Sequence, residues 1–456
     1  MFSSNVLDAL IVLLRNVLLA RLLSVEEFGI VATLTIILTL MDPSQTTGLN
    51  RLIVQARDDD RDLLDGVHAL QLAFGVITAA LLLLLAWPYA WAIGSEHVIG
   101  SYLVLAIVPI LYGLCNQDVY RHQRRHEFGS TVVRQLVPQL IGIAVLWPAY
   151  LLTHDHRTIL FVSFAQIIAT LAICNLTAEH PYRPRFVPEI SSRAYRFAVP
   201  LLINTVIMFV VLNGDRIIAS NQFGLTVLGW FSLAVTLTMM PTLLVTRSLQ
   251  TLLLPKLAEV QDDPTLLQQR NDIVAAMMMV VFVGFVAGVA LFGEWFVIFV
   301  FGEKYRAAVP LLVLLAVMNG MRLVRAVPAL TALAKAETKN PLYSNLVRVA
   351  SMPVALAVAM ATQDIYWMLV AGIAGEVVAV LASAWFGQHM VGVRAWPLII
   401  HFTGATLLVA TITFISTAGI SLWFLIPSVA LFLFTMRDMR DFRTVARRWT
   451  GAEDMG

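Results

Sequence analysis

Charge is what this chain lacks. Charged residues make up 13% of its 456 positions, against 59% hydrophobic ones. Soluble domains carry roughly a quarter charged residues, so the deficit excludes a water-soluble globule and makes the bilayer the solvent. Cysteine is scarce too. Cys115 and Cys174 are the two present, and both lie inside apolar runs. That reads as small packing residues and excludes a disulfide framework or a thiolate metal centre. The chain contains no GxxxxGK loop, no HExxH and no GxSxG, so no motif for nucleotide phosphates, zinc hydrolysis or a serine nucleophile is on offer. No cleavable signal peptide is evident, because the first apolar run lacks a small-residue cleavage site. The net charge of +2 says less than where the charges sit.

What is present is a series of apolar runs. A membrane helix needs about 20 apolar residues, and run length with polar flanks predicts about fourteen spans. They cover 6–23, 29–55, 67–93, 98–120, 132–152, 159–176, 198–221, 225–249, 273–292, 309–334, 342–361, 366–387, 397–417 and 421–436. The fold class is therefore an all-α polytopic membrane protein. It divides into an N-terminal six-helix half at 1–180, a second at 194–390, two further helices at 396–436 and a basic tail at 437–456. The second span is too long to cross straight, and Asp42-Pro43 predicts a kink there, with Thr46, Thr47 and Asn50 facing something polar.

Lysine and arginine set the orientation. With the N-terminus inside, the cytoplasmic connections carry Arg57 and Arg61; Arg121, Arg124 and Arg125; Arg183, Arg185, Arg193 and Arg196; Arg247, Lys256 and Arg270; Lys335 and Lys339; and Arg394. Arg437, Arg440, Arg443, Arg447 and Arg448 follow in the tail, while the opposite connections hold Arg21, Arg157, Lys304 and Arg306. The asymmetry places both termini in the cytoplasm. Outward connections are short, and the longest cytoplasmic link, 249–272, contains Asp262-Asp263-Pro264.

A weak repeat runs through the apolar pattern. The turn Ser24-Val25-Glu26-Glu27-Phe28-Gly29 sits between two apolar helices. A similar unit returns at Asp215-Arg216-Ile217-Ile218-Ala219-Ser220, followed by Leu228-Gly229-Trp230-Phe231. Gly29 aligns with Gly229, Leu18 with Ile218 and Ala20 with Ser220. A repeat of this size in an apolar chain predicts a transporter of two similar halves.

Ionisable groups inside spans are costly and usually face a cavity or a partner. Here they are Arg15, Asp42, Asp118, Arg134, Asp215, Arg216, Arg322, Arg325, Arg348 and Glu376. Arg15 and Asp215 hold equivalent places in the repeat, so they could face each other across a pseudo-twofold cleft. Arg322 and Arg325 are three apart, hence on one helix face. One reading is a cationic cavity that holds a phosphate head group through Arg15, Arg216, Arg322, Arg325 and Arg348, with Asp42, Asp215 and Glu376 as ion-coupling sites. The other is that arginines near span ends snorkel to lipid phosphates and acid–base pairs fix helix packing. Gly284 and Gly288 form a close-packing GxxxG. His154-Asp155-His156 reads as a solvated outward turn, His122 and His126 as part of a basic lipid-facing loop, and Trp87, Trp91, Trp295 and Tyr366 as an aromatic belt. No catalytic group, metal site, cofactor or nucleic-acid partner is expected.

The stretch from Leu19 to Gly29, the run Gly48-Leu49 to Gln55, and Asp215-Arg216-Ile217-Ile218-Ala219 ahead of Leu228-Gly229-Trp230-Phe231 resemble the polysaccharide-type flippases of the multidrug/oligosaccharidyl-lipid/polysaccharide exporter superfamily. The resemblance implies two six-helix halves with two added helices. It implies a monomer in the inner membrane that moves a polyprenyl-pyrophosphate-linked oligosaccharide between leaflets by alternating access, for O-antigen, capsule or exopolysaccharide export. An ion gradient would drive the cycle, and membrane lipids, a polysaccharide polymerase and a chain-length regulator would be its partners. Thr46 stands where relatives often carry an acid, and the chain begins almost at the first span, which predicts a start farther upstream. Two alternatives remain open. A drug or organic-cation antiporter of the same superfamily would need acids to dominate the cavity, yet arginines outnumber them. A membrane polymerase or glycosyltransferase would need longer outward loops.

Overall fold

In the computed structural model, residues 2–39, 61–124, 129–186 and 188–418 are described, with isolated positions at 49, 53, 429, 430, 432 and 433. Among the described residues every regular element is helical. Ten helical stretches among the described residues are long and apolar enough to cross a membrane. The kink expected at Asp42-Pro43, the polar positions Thr46, Thr47 and Asn50, most of the last span and the basic tail lie outside the described residues.

The chain folds as two compact units, Met1–Ser232 and Leu233–Gly456. The first begins with α1 (Phe2–Leu22) and α2 (Val25–Leu38). Between them Ser24 leaves helical geometry and its hydroxyl accepts the Glu27 N–H at 3.2 Å, an N-cap that explains the polar turn. Then follow α3 (Arg61–Ile93), α4 (Ile99–Leu105), α5 (Val108–Gly113), α6 (Val119–Arg124), α7 (Gly129–Thr153) and α8 (Thr158–Leu176). Helix α9 (Pro188–Ala258) joins two predicted spans, and its break comes at Gly224, at φ 82° and ψ 176°. That left-handed, extended conformation favours glycine. The second unit adds α10 (Pro264–Phe301), α11 (Ala308–Ala334), α12 (Lys339–Ala350), α13 (Met352–Thr362), α14 (Ile365–Val391) and α15 (Trp396–Ala418). Of its most apolar window, α11 buries 78%, against 22% for α3, which makes α11 the central helix of its unit.

Two predicted connections differ. The long cytoplasmic link contracts to a turn, because α9 runs to Ala258 and α10 starts at Pro264. Asp263 caps α10 by accepting the N–H groups of Thr265 (2.9 Å) and Leu266 (3.0 Å), with proline at the first turn where its missing donor costs nothing. The fourth span stops at Gly113 and does not run on to Tyr120. Residues 114–118 form a turn instead, so Asp118 lies beyond the span and not within it.

That turn ties down the segment after α8. The Asp118 carboxylate accepts the N–H groups of Glu179 (2.7 Å) and His180 (3.0 Å), and Arg121 Nη1 lies 3.3 Å from its other oxygen. Asn116 donates to the His180 carbonyl at 2.7 Å, and the Tyr182 hydroxyl donates to the Gly113 carbonyl at 2.9 Å. Burial pushes the Asp118 carboxyl up, but these backbone donors and the His180 ring outweigh it and hold the group below its ordinary range. Burial also pushes the Tyr182 hydroxyl up to about 12. At the opposite end of the unit, Tyr102 OH lies 2.7 Å from Thr33 Oγ1 and 2.8 Å from Ser95 Oγ, and the Ser220 hydroxyl donates to the Ile93 carbonyl at 3.0 Å.

The repeat glycines meet. A β-carbon on Gly29 would collide with the Leu225 carbonyl, and one on Gly229 would collide with the Val25 carbonyl. The two contacts are reciprocal, each glycine facing the residue four before the other. Gly284 and Gly288 behave differently: a β-carbon at either would meet nothing within 4 Å, so the expected close packing is not found there. Gly229→Ala is expected to lower the melting temperature of the purified protein through overpacking of ~1–3 kcal/mol, with Gly284→Ala nearly neutral by the same measurement. Asp118→Asn is expected to lower it at neutral pH. Because the folded carboxyl titrates below its unfolded value, its contribution is present above the unfolded pKa and fades as pH falls through the folded one. The gap between Asp118→Asn and the parent should therefore narrow in acid.

Candidate substrate site

Near the middle of α14, Glu376 is 0% exposed and three arginines converge on it. Arg348 on α12 places Nε 3.0 Å from Oε2 in a hydrogen bond. Arg325 on α11 places Nε 2.9 Å from Oε1, an ion-pair contact rather than an aligned hydrogen bond. Arg322, one turn earlier, has Nε 3.6 Å from Oε2. The i, i+3 spacing of Arg322 and Arg325 puts both on one face of α11, as the sequence predicts. Glu376 and Arg348 come from two other helices, a convergence that spacing cannot reveal. These arginines do not snorkel. They are gathered inside the second unit at membrane depth.

Neutral groups hold each guanidinium in place. Arg322 Nη1 donates to Asn319 Oδ1 at 3.0 Å, and Asn319 is itself anchored by donating to Thr238 Oγ1 at 2.9 Å. Arg325 Nη1 donates to Asn345 Oδ1 at 2.8 Å, and Arg348 Nη1 to Ser351 Oγ at 2.9 Å. Ser351 sits at the junction of α12 and α13, where a predicted single span is broken ahead of Pro353. Gly375 on α14 leaves room for the Ser351 side chain, with which a β-carbon there would collide. The asparagines and Ser351 went unnoticed in the sequence because they carry no charge. Their one signal is a polar residue at helical spacing from an arginine.

The electrostatics are lopsided. Among the described residues, three guanidinium groups lie within 3.6 Å of one carboxylate. Removing one member of a buried pair costs about 3–5 kcal/mol because the survivor is left uncompensated. Arg348, at 0% side-chain exposure, is the fully enclosed partner, while Arg322 and Arg325 keep 11% each. These two carry what exposure the cluster has.

The remaining predicted residues lie in the first unit, apart from Asp42, which is outside the described residues. Arg15 donates to Gln166 Oε1 at 3.4 Å, so its hydrogen bond goes to a neutral amide. Arg216 donates to Asn213 Oδ1 at 3.3 Å one turn away on α9, and Asp215 beside it is buried. Arg134 donates to the Tyr120 hydroxyl and stacks over its ring at 5.0 Å. The expected solvated turn at 154–156 is partly wrong. His156 is buried, its N–H donates to Glu27 Oε2 at 2.6 Å, its Nδ1 lies 2.8 Å from the same oxygen and its Nε2 lies 3.2 Å from Ser101 Oγ. A short loop can bury a histidine when the repeat turn supplies a carboxylate. Asp118, Glu179 and His180 bring their ligand atoms within 4.8 Å of one another. The Arg121 guanidinium already sits among them, 2.7 Å from His180 Nδ1, and a resident cation opposes a metal ion there.

Comparison with known proteins follows this geometry. The chain is 25% identical over 329 residues to the lipopolysaccharide biosynthesis protein WzxC of Escherichia coli (strain K12), covering 68% of this chain and 63% of that one. It is 24% identical over 309 residues to the succinoglycan biosynthesis transport protein ExoT of Rhizobium meliloti (strain 1021), covering 67% and 62%. The matched region thus spans less than two thirds of either relative. The fold matches the lipid II flippase MurJ in an inward closed conformation, with a TM-score of 0.68 over 97% of this chain and 99% of that one, at 12% identity. The chain is a multi-pass membrane protein with a helical transporter fold. Residues 18–310 match the family described as polysaccharide biosynthesis protein, and the chain belongs to that family.

Proposed function

We propose that this protein is a transporter, not an enzyme, and that it flips a polyprenyl-pyrophosphate-linked oligosaccharide from the cytoplasmic to the periplasmic leaflet by alternating access. The cargo would serve O-antigen, capsule or exopolysaccharide export. The observation that carries this reading is the convergence of three guanidinium groups on the one buried carboxylate of Glu376 at membrane depth. A pyrophosphate supplies matching negative charge and planar pairs of oxygens that a guanidinium fork can engage bidentately. A cationic drug would meet repulsion at the same place. Family membership and the names of WzxC and ExoT support the carbohydrate pathway, and the MurJ-like fold supports lipid-linked cargo.

In this reading Arg322, Arg325 and Arg348 form the anion site around Glu376, and Arg15 and Arg216 are further anion-binding residues. Glu376 acts in coupling by exchange. When the arginines turn to the pyrophosphate they release the carboxylate, which is then free to take a cation. Asp42 and Asp215 are further coupling sites. The halves are 1–180 and 194–390, with two added helices at 396–436 and a tail at 437–456. Both termini face the cytoplasm, the protein is a monomer of the inner membrane, and a polymerase and chain-length regulator act after it.

Replacing Arg322 or Arg325 with glutamine is expected to cut translocation at least tenfold while the protein still accumulates in the membrane, read as lipid-linked sugar trapped in the cytoplasmic leaflet. Unchanged export in both variants would end the proposal for this site. Glu376→Gln is expected to destabilise the protein by about 3–5 kcal/mol in a thermal melt, and Glu376→Gln combined with Arg348→Met to recover part of that loss. Glu376→Asp keeps the charge but shortens its reach. Export by that variant should respond more weakly to collapse of the ion gradient, and an unaltered response would remove Glu376 from coupling.

A further inference from the structure

A second polar arrangement lies at mid-depth in the first unit, and none of its amides entered the reading above. Arg15 on α1, Gln166 near the middle of α8 and Gln139 near the middle of α7 form a relay. Arg15 Nη1 donates to Gln166 Oε1 at 3.4 Å, and Gln166 Nε2 donates to Gln139 Oε1 at 2.9 Å. The relay is built, not incidental. Gly142 lies one turn after Gln139 on α7, and a β-carbon there would collide with the Gln166 amide. The missing side chain is the notch through which Gln166 crosses α7 to reach its partner.

The relay is also incomplete. Arg15 Nε is buried with no hydrogen-bond partner among the described residues, and the Gln139 amide nitrogen donates to none of them. All three side chains are half-buried. Polar groups at the bilayer centre are expensive when they face hydrocarbon, which favours a polar neighbour for the spare donors of such a relay. Two primary amides in a row offer donors and acceptors without charge, which matches hydroxyl and acetamido groups and not phosphate.

We propose that Gln166 and Gln139, with Arg15 behind them, form a carbohydrate-reading subsite for a sugar of the lipid-linked cargo. This rests on the lipid-linked-oligosaccharide reading and adds a specificity element to it. The competing explanation is that the relay only glues α1, α7 and α8 together, as polar residues do between membrane helices. The two differ in what they predict for a ligand without sugar.

The test uses the full chain in nanodiscs and two probes: farnesyl pyrophosphate, and the same lipid bearing one hexose on its terminal phosphate. The parent protein should bind the hexose-bearing probe more tightly. Gln139→Met should weaken that probe about tenfold, the scale of one lost hydrogen bond, and leave the bare pyrophosphate within twofold, and Gln166→Met, which also removes the hydrogen-bond partner of Arg15, should weaken the hexose-bearing probe at least as much. Gly142→Ala should do the same with both glutamines intact, by moving Gln166 out of its notch. Gln139, at the open end of the relay, is the position least tied to packing, so its variant decides the matter if the others fold poorly. Equal weakening of both probes, or no change in either, overturns the subsite. A parent protein that binds both probes equally also overturns it and leaves the flippase reading standing, whereas one that binds neither overturns both.

Discussion

Neither a carboxylate nor a guanidinium can be left alone in hydrocarbon, and the second unit is arranged around that constraint. Glu376 is fully enclosed, and its charge is tolerable because Arg348, Arg325 and Arg322 surround it within 3.6 Å. The arginines in turn depend on Glu376, and then on Asn319, Asn345 and Ser351 for the donors that the carboxylate cannot satisfy. Those contacts fix where α11, α12 and α14 can sit. They also account for the break between α12 and α13, since the turn at Ser351 brings its hydroxyl to Arg348. Such a cluster is a poor way to gain stability, because apolar side chains of similar volume often do as well or better. What it provides is a concentration of positive charge at a depth where an anionic head group would otherwise have no partner.

The first unit distributes its polar groups differently. At its two ends they form knots in which most groups are satisfied. Tyr102, Thr33 and Ser95 close one end, and Asp118 with Asn116, His180 and Tyr182 closes the other. Between them, at mid-depth, the relay from Arg15 to Gln139 has spare hydrogen-bonding capacity. Satisfied ends and an unsatisfied middle leave the hydrogen-bonding capacity of this unit concentrated in the relay.

How much of this was legible in the sequence depended on the range of the interaction. Local features read well. Ser24 falls in the turn expected between two apolar helices, Gly224 breaks a helix between two predicted spans, and run lengths locate most of the described spans. Arg322 and Arg325 share a face because that follows from helical spacing alone. Glu376, Arg325 and Arg348 were each visible as misplaced charges, but their convergence depends on three helices meeting and has no local signature. Neutral polar residues were invisible: Gln139, Gln166, Asn319 and Asn345 cost little in any composition scale, yet they hold the arginines. The turn at His156 was misread because burial of that ring is supplied by Glu27, 129 positions away. Asp118 was placed inside a span because apolar runs alone do not show where a helix gives way to a turn.

The repeat explains which parts of the molecule are symmetric and which are not. Gly29 and Gly229 face each other's preceding turn, and each must lack a side chain for the helices to approach so closely. A pseudo-twofold crossing makes the same backbone demand twice, so the glycines recur with a constant offset. Nothing in that demand reaches the polar side chains. Arg15 has Asp215 at its equivalent position, Glu27 has Val227, and Ala20 has Ser220. Backbone approach is a steric condition that both copies must meet, whereas a charge answers only to its own partners. The two copies can therefore keep one crossing geometry while a cation with neutral amides occupies one part of the chain and a guanidinium-rich cluster another.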